Sequence, residues 1–431
     1  MKLLKQLTLG ATLFALAGTI GYAQSSIEHD PLLDRKKYLI TDYGAVGDES
    51  TINTKAIQRA IDTASQAGGG VVVIPEGVFR SGSIFIKPGV GLHLEKGGVL
   101  QGSQQLEDYP KRNTRIEGHF EPWRMALVNA QHVDQLRITG EGLLDGNGEP
   151  FWAAFWQRRE ENPDCTNLEV ERPRMMFIDQ CKDVLIEGIS LQDSGFWNIH
   201  VYRSQDVTIS GVSITSPNGT PPDRAPSSDG IDIDSCQRVT VRDCFITVGD
   251  DCIAIKGTKG PRALEDESSP PVEDILIENC RFDSGHGVVT LGSEATIVRN
   301  VVVRDCVVTG WNKLVRLKLR PDTPQTYENL LYENIVFEAG GGIFDVKPWT
   351  QFFDLKGEEP PRSVVRNVTI RNVKGWTGKW GELMGNPLDT IEDITIENLE
   401  MKIENEAITL GPVDGLKVKN VVVNGKRFES L

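Results

Sequence analysis

The chain has 431 residues, of which 39% are hydrophobic and 25% charged, an ordinary composition for a globular protein. Its formal net charge of -15 argues against nucleic acid as a partner, because the phosphate backbone requires a basic surface. The 43 glycines and the many Val-x-Val and Ile-x-Ile stretches favour β structure over long helices.

The first 23 residues have the pattern of a secretory signal peptide. Lys2 and Lys5 precede an apolar run that ends at Gly21 and Ala23. The pattern predicts export to the periplasm or the cell exterior, with cleavage after Ala23. A membrane anchor is disfavoured because the run is short for a bilayer span, and no later segment is apolar enough to cross one. Cleavage leaves 44 basic against 61 acidic residues.

An N-terminal cap and first coils are predicted for about residues 27–105. "INTKAIQRAIDTASQAGGG" has apolar residues at helical spacing, a start signal at Asn53 or Thr54 and a glycine stop. "VVVIPEGVF", "SIFIK" and "GLHLEKGGVLQGS" then follow as strands. We expect the short helix to cover the apolar end of the β structure.

Residues 149–174, "EPFWAAFWQRREENPDCTNLEVERPR", interrupt the strand pattern with aromatic and charged residues. They are predicted to be an inserted excursion and not a second domain. Residues 24–431 are therefore expected to form a single domain.

One pattern recurs from residue 184 onward, with successive starts 22 to 38 residues apart. Each copy alternates apolar and polar residues, then has a small or amide residue and another apolar one. The copies are "VLIEGISL", "VTISGVSI", "VTVRDCFI", "ILIENCRF", "VVVRDCVV", "LLYENIVF", "VTIRNVKG", "ITIENLEM" and "LKVKNVVV".

Such short units cannot bury an apolar face alone, so they must stack on their neighbours. Strand periodicity and β-branched residues disfavour a helical solenoid. The repeat therefore predicts an all-β, parallel β-helix with one coil per copy.

Three of the seven cysteines, Cys244, Cys280 and Cys306, share a slot that other copies fill with Ile, Val or Leu. The slot is therefore predicted to be buried, in preference to a disulfide, metal or nucleophile role. The odd total leaves at least one cysteine unpaired, and export permits disulfides without requiring them. The preceding slot predicts a turn-stabilising row of asparagines, namely Asn279, Asn334, Asn372, Asn398 and Asn420.

The repeat also aligns polar residues on one face. Asp250 lies six residues after Cys244, and His286 lies six residues after Cys280. If the coils are in register, these two side chains lie about 5 Å apart on neighbouring coils. The same count from Cys306 leads to an asparagine.

Basic residues lie on the strands that follow. "CIAIKG" corresponds to "VVTLGS" and "VRLKLR" on the next coils, which places Lys256, Arg316 and Lys318 in adjoining rows. We call these three the basic row and predict that they bind substrate. One coil earlier, "SSDGIDIDSC" brings Asp229 to the same face, near Asp250 and its neighbour Asp251.

This combination suits hydrolysis of a glycosidic bond, which needs one protonated acid and one ionised carboxylate. Crowding raises the pKa of at least one carboxyl group, so that it can hold a proton. Simpler explanations exist for each element alone. An Asp-Asp pair is commonly a solvated turn, and Asp229, Asp232 and Asp234 could instead bind calcium. Only a shared site explains why these residues are in one register.

Four segments, "SSDGIDIDSC", "GDDCIAIKG", "SGHGVVTLGS" and "RLK", resemble in order the signatures of glycoside hydrolase family 28, the polygalacturonase group. "YGAVGD" and "AIQRAID" resemble the opening of the same superfamily. The resemblance implies a right-handed parallel β-helix that hydrolyses α-linked galacturonic acid with inversion and without a metal or other cofactor. The implied partner is a pectic polysaccharide or oligogalacturonide.

By this similarity Asp250 is the general acid, Asp229 and Asp251 activate water, and His286 assists Asp250. Arg316 and Lys318 of the basic row hold the uronic carboxylate.

Three departures bear on the substrate. Ser227 and Ser228 replace the family's Asn-Thr, and Trp349 stands where a late tyrosine is expected. Long loops at 217–228 and 259–272 are expected to close one end of the cleft, which favours trimming of chain ends.

Other functions remain open from sequence alone. A rhamnogalacturonan hydrolase of the same family fits the motifs, and a calcium-dependent β-helical pectate lyase or a non-catalytic carbohydrate-binding β-helix fits the fold. A monomer is expected.

Overall fold

Parallel strands wind through three stacked sheets in the computed structural model, which describes residues 30 and 32–429. The chain is an all-β, right-handed parallel β-helix with a short helix near its N-terminus, as predicted. The predicted signal peptide lies outside the described residues. None of the helices in the described part has the length and apolarity to cross a bilayer.

The first sheet contains one strand from each coil. Its strands are Lys37–Leu39, Gly70–Ile74, Val90–Leu94, Arg137–Gly140, Lys182–Glu187, Gln205–Ser210, Gln237–Arg242, Val272–Glu278, Ile297–Arg304, the first parts of Thr326–Ala339, Val364–Leu383 and Thr390–Leu410, and Lys417–Val423.

In most coils the second sheet follows the first after a corner of one or two residues. Three residues separate Val90–Leu94 from Gly98–Gly102, and the 3-10 helix Ile40–Tyr43 lies between Lys37–Leu39 and Asp48–Ile52. Its strands are Asp48–Ile52, Gly77–Ser81, Gly98–Gly102, Leu143–Asp145, Ser190–Gln192, Ser213–Thr215, Phe245–Thr247, Arg281–Phe282, Val307–Val308 and later parts of the three long strands. The sequence repeat therefore corresponds to the corner between these two sheets.

The third sheet, called the site sheet, carries the polar residues of interest. Its strands are Ile84–Ile86, Val128–Gln131, Met176–Asp179, Ile199–Tyr202, Ile231–Asp234, Ile253–Lys256, Val289–Leu291, Lys313–Leu319, Gly342–Pro348 and the last residues of Val364–Leu383. Lys426–Phe428 ends the chain in an antiparallel pair on the first sheet.

The helix α1, Thr54–Gln66, packs its apolar face on the first coils, as predicted. Asn53 precedes it, but its side chain does not cap the helix; it bonds to the backbone N and O of Val46 at 2.7 and 3.0 Å. The helix ends before Gly68, whose φ of 90° suits glycine.

The buried slot of the three cysteines and the row of asparagines are both present in the structure. Cys244, Cys280 and Cys306 are buried, and every cysteine of the chain is free. The asparagines have left-handed backbones, and Asn372 donates to Asn334 at 2.9 Å. A left-handed residue makes the sharp corner, and its side-chain amide donates a hydrogen bond to the corresponding side chain of the preceding coil.

Two segments leave the stack beside the site sheet. Helix α2, Glu149–Glu161, lies within the predicted excursion and is followed by the short 3-10 helix Asn167–Glu169. The antiparallel hairpin Lys111–Ile116 and His119–Arg124 was not predicted. Its Arg115 is buried and bonds to Asp234 at 3.0 Å, which fixes the hairpin to the stack.

Candidate active site

The turns that enter the site sheet position the catalytic candidates. Gly230 N donates to Asp251 O at 3.0 Å, and His286 N donates to Asp250 O at 2.7 Å. Stacked turns therefore bring Asp229, Asp250, Asp251 and His286 to one face of three successive coils, as the register predicted.

Asp250 and His286 form a pair. His286 Nδ1 lies 2.9 Å from Asp250 Oδ1, and Arg224 Nη1 lies 3.4 Å from His286 Nε2. A guanidinium can only donate, so Nε2 accepts and Nδ1–H donates to the carboxylate. Burial alone would raise the pKa of Asp250, but its interaction with His286 outweighs burial and lowers that pKa.

Asp251 is the most strongly held carboxylate. Its Oδ1 accepts from Arg316 Nη1 and Thr290 Oγ1, both at 2.7 Å, and its Oδ2 accepts from Lys318 Nζ at 2.9 Å. Burial would raise the pKa of Asp251, but the two cations outweigh it and lower the pKa. Asp251 is therefore ionised at neutral pH.

Asp229 shares a cation with a second buried carboxyl group. Lys256 Nζ lies 3.0 Å from Asp229 Oδ2 and 3.3 Å from Asp232 Oδ1. Burial, together with the charges of Asp250 and Asp251, raises the pKa of Asp229. The crowding expected from sequence therefore raises the pKa of Asp229 and not that of Asp250.

Exposure also separates the three carboxylates. The side chain of Asp250 is 28% exposed, whereas those of Asp229 and Asp251 are 5% and 1% exposed. Asp250 is therefore the carboxyl group that a sugar in the cavity can contact most readily.

The basic row has the predicted neighbours, but the strand register differs by one residue from the sequence match. The match of "VVTLGS" with "VRLKLR" placed Arg316 opposite Val289, but Val315 pairs with Val289, so Arg316 is level with Thr290. Arg316 Nε also lies 3.1 Å from Asp345 Oδ2. Two edges of this guanidinium, at Nη1 and at Nε, thus have a carboxylate partner before substrate binds.

The calcium alternative for Asp229, Asp232 and Asp234 does not fit the structure. Asp234 bonds to Arg115 and lies 3.4 Å from His200 Nε2, while the other two carboxylates contact Lys256. A cationic side chain therefore already contacts each of the three carboxyl groups.

A second candidate metal group is Asp250, Asp251 and His286, whose ligand atoms lie within 4.8 Å of one another. Arg316 and Lys318 already contact both oxygens of Asp251. Two cations at this distance repel a divalent ion, so the donor set suits carboxylate catalysis better than metal binding.

These residues line a cavity of about 550 Å³. Its walls come from α2 with the segment after it, from the hairpin, from residues 224–227 and from residues 349–352. Trp349 is one wall, with Lys318 Nζ 4.8 Å from its ring centre. Loop 259–272, which we expected to form a wall, contributes only Lys259. The excursion of residues 149–174 forms a wall of the cavity instead.

The two serines that depart from the family pattern stabilise the turns. Ser228 Oγ accepts from Gly249 N and donates to Ala225 O, both at 2.9 Å. Ser227 Oγ accepts from Arg172 at 3.3 Å. Ser228 thus joins the loop 217–228 to the turn that carries Asp250.

Several cavity residues were missed by the sequence analysis. Trp156 and Arg159 from α2, Arg224 from loop 217–228 and Thr290 from the site sheet all reach the site. The correct strand register places Thr290 level with Arg316, so Thr290 could have been found from the sequence. No periodic pattern indicates the other three residues.

The sequence profile described as Glycosyl hydrolases family 28 matches residues 111–406. The chain belongs to this family. It is therefore a glycoside hydrolase. A second profile, Rhamnogalacturonase A/epimerase, pectate lyase-like, matches residues 39–104 of this family 28 enzyme and contains none of its site residues.

Relatives of the family 28 enzyme include an exopolygalacturonase of Zea mays, 29% identical over 350 residues, or 78% of this chain and 76% of the relative. An exo-poly-alpha-D-galacturonosidase of Dickeya chrysanthemi is 27% identical and covers 78% of this chain and 62% of that protein. The solved hyperthermoactive exopolygalacturonase of Thermotoga maritima superposes with a TM-score of 0.76 and 27% identity over 93% of this chain and 96% of that one.

Proposed function

We propose that this enzyme hydrolyses α-linked galacturonic acid in pectic polysaccharides or oligosaccharides, as an exopolygalacturonase-type enzyme. The observation that carries the proposal is the Asp250–His286 pair beside Asp251 and the basic row, inside one cavity. The names of the relatives support the same substrate class.

The proposed reaction is an inverting hydrolysis. Asp250 donates a proton to the glycosidic oxygen as the bond to the anomeric carbon breaks. It does so from its protonated form, which is the minor form at neutral pH because the interaction with His286 lowers its pKa. Asp229 and Asp251 orient a water molecule whose oxygen bonds to that carbon from the opposite face, and a carboxylate accepts the water proton. Because Arg316 and Lys318 keep Asp251 ionised, it remains a proton acceptor at neutral pH.

We propose that His286 orients Asp250 and that the basic row meets a uronic carboxylate. Lys318 lies between Asp251 and the ring of Trp349, where a sugar carboxylate could share its ammonium. Besides these side chains, the proposed reaction uses one water molecule and no cofactor.

Exo action is supported by the shape of the cavity. Helix α2, the hairpin and loop 217–228 add walls to the cavity beside the site sheet, and such walls reduce the room that an endo enzyme needs for a continuous chain. We further propose a single, monomeric catalytic domain from residue 24 onward, exported after cleavage at Ala23. The mass of the secreted protein and its light scattering test these two points.

Product analysis on homogalacturonan tests the function. Release of galacturonic acid from the start of the reaction supports exo action, and an early ladder of oligomers contradicts it. Rhamnogalacturonan hydrolysis is a second candidate because of the profile matched by residues 39–104. Cleavage of rhamnogalacturonan but not homogalacturonan would favour that candidate.

A further inference from the structure

Two cations in the cavity lack an anionic partner among the described residues. Lys256, Arg316, Lys318 and Arg320 each contact a carboxylate within 3.0 Å, and Lys259 lies 3.7 Å from one. Within residues 30 and 32–429, no carboxylate lies within 4.0 Å of the remaining two, Arg159 and Arg224. Nε of both is buried without a hydrogen-bond acceptor.

The surrounding protein fixes these two side chains before any ligand binds. Trp156 Nε1 donates to Arg224 O at 2.7 Å, and the Arg224 guanidinium lies 5.6 Å from the Trp156 ring. Arg159 is three residues after Trp156 on α2, so both face the same side of the helix, and it stacks 5.2 Å from Phe155. Buried Arg172 bonds to Pro226 O at 2.7 Å and holds the loop down.

Arg224 lies on the His286 side of the carboxylate pair, whereas Arg316 and Lys318 lie on the Asp251 side. Arg224 contacts His286, which contacts Asp250, whereas the neighbouring Asp251 contacts Arg316 and Lys318. Cations therefore flank the carboxylate pair on both sides.

We propose that Arg159 and Arg224 bind the carboxylate of a second uronic acid, on the His286 side of the scissile bond. The inference rests on the proposed function and deepens it. Guanidinium groups match a carboxylate in geometry and charge, and a neutral sugar at this position leaves two partly buried cations unpaired. The enzyme therefore requires two adjacent uronic acids, which excludes a strictly alternating uronic acid and neutral sugar backbone.

The test compares digalacturonate with its two mono-methyl esters, in which one or the other carboxylate is neutral. For the wild-type enzyme, esterification of either sugar lowers kcat/KM about 10- to 100-fold, the range for a hydrogen bond to a charged group. In Arg159→Gln/Arg224→Gln the penalty for one of the two esters disappears. Arg158→Gln, on the same helix but paired with Glu169 at 2.8 Å, keeps both penalties.

The single variant Arg159→Gln, which changes a partly exposed side chain, allows the same comparison of ester penalties. Calorimetry with each disaccharide in an Asp250→Asn background measures binding without turnover. Arg224→Gln also changes His286, so the diagnostic quantity is the ester penalty and not the rate. A wild-type enzyme that cleaves none of the disaccharides overturns the proposed function and this inference with it. A cleaving enzyme whose two ester penalties both persist in the double variant overturns the inference alone.

Discussion

His286 lies beside Asp250 through two contacts, one between backbones at 2.7 Å and one between side chains at 2.9 Å. The backbone contact belongs to the stacking of the coils and does not depend on the imidazole. Removal of the ring therefore alters the proton chemistry of Asp250 while the turn remains in place.

We predict that His286→Ala lowers kcat/KM by about 100-fold, because Asp250 loses the group that orients it. The interaction with His286 lowers the pKa of Asp250, so its removal raises that pKa. Protonated Asp250 then persists to higher pH, and the alkaline limb of the kcat/KM profile moves upward. His132→Asn, at an exposed turn, is the control. An unchanged alkaline limb in the alanine variant contradicts the account.

Lys256 balances two buried carboxyl groups. Burial would lower its pKa, but Asp229 and Asp232 outweigh burial and raise it. We predict that Lys256→Met lowers the free energy of unfolding by roughly 3–5 kcal/mol, since it leaves buried charge without a partner. The double variant Lys256→Met/Asp232→Asn should regain part of the loss. Urea titrations measure both, and equal stabilities for the two variants exclude this pairing.

A buried histidine predicts part of the acid sensitivity. His200 accepts from Arg174 Nη1 at 2.7 Å and is buried, which lowers its pKa from 6.5 to about 4. The unfolded chain binds this proton near pH 6.5 and the folded chain only near pH 4. Stability is therefore present above about pH 6.5 and is lost as the pH falls toward 4.

His200→Gln should remove this contribution, on the order of 3 kcal/mol, from the pH dependence of unfolding. The measurement is the difference in unfolding free energy between neutral pH and about pH 4, for wild type and variant. Identical pH slopes would show that His200 is not the responsible group.

The contacts of Asp251 predict indifference to divalent ions. Arg316 and Lys318 contact both of its oxygens, so calcium gains little at this cluster. Activity on homogalacturonan should be unchanged after dialysis against a chelator and after calcium is restored. Calcium-dependent release of an unsaturated product would instead indicate a lyase.

The β-helix and the alignment of Asp250 with His286 could be predicted because stacking imposes one register on every coil. A slot that accepts Cys, Ile, Val and Leu must be buried, so a count from Cys244 and Cys280 locates the outward residues. The same count from Cys306 gives the observed pairing of Val289 with Val315, whereas the direct match of "VVTLGS" with "VRLKLR" is wrong by one residue.

The walls of the cavity could not be predicted in the same way. Arg224 meets His286 across 62 residues of chain, and the contact depends on a loop with no periodic pattern. Trp156 and Arg159 reach the site because α2 folds back over it. The distribution of pKa shifts likewise depends on which cation faces each carboxylate, a property of the assembled site.

The central claim is that Asp250 donates the proton in hydrolysis of a galacturonide bond. The most direct measurement is the rate of galacturonic acid release from oligogalacturonides by wild type and by Asp250→Asn, with matched unfolding curves. We expect release by wild type and a loss of about 100- to 10,000-fold in the variant, the range for a general acid. An Asp250→Asn enzyme that is folded and retains the wild-type rate would contradict it.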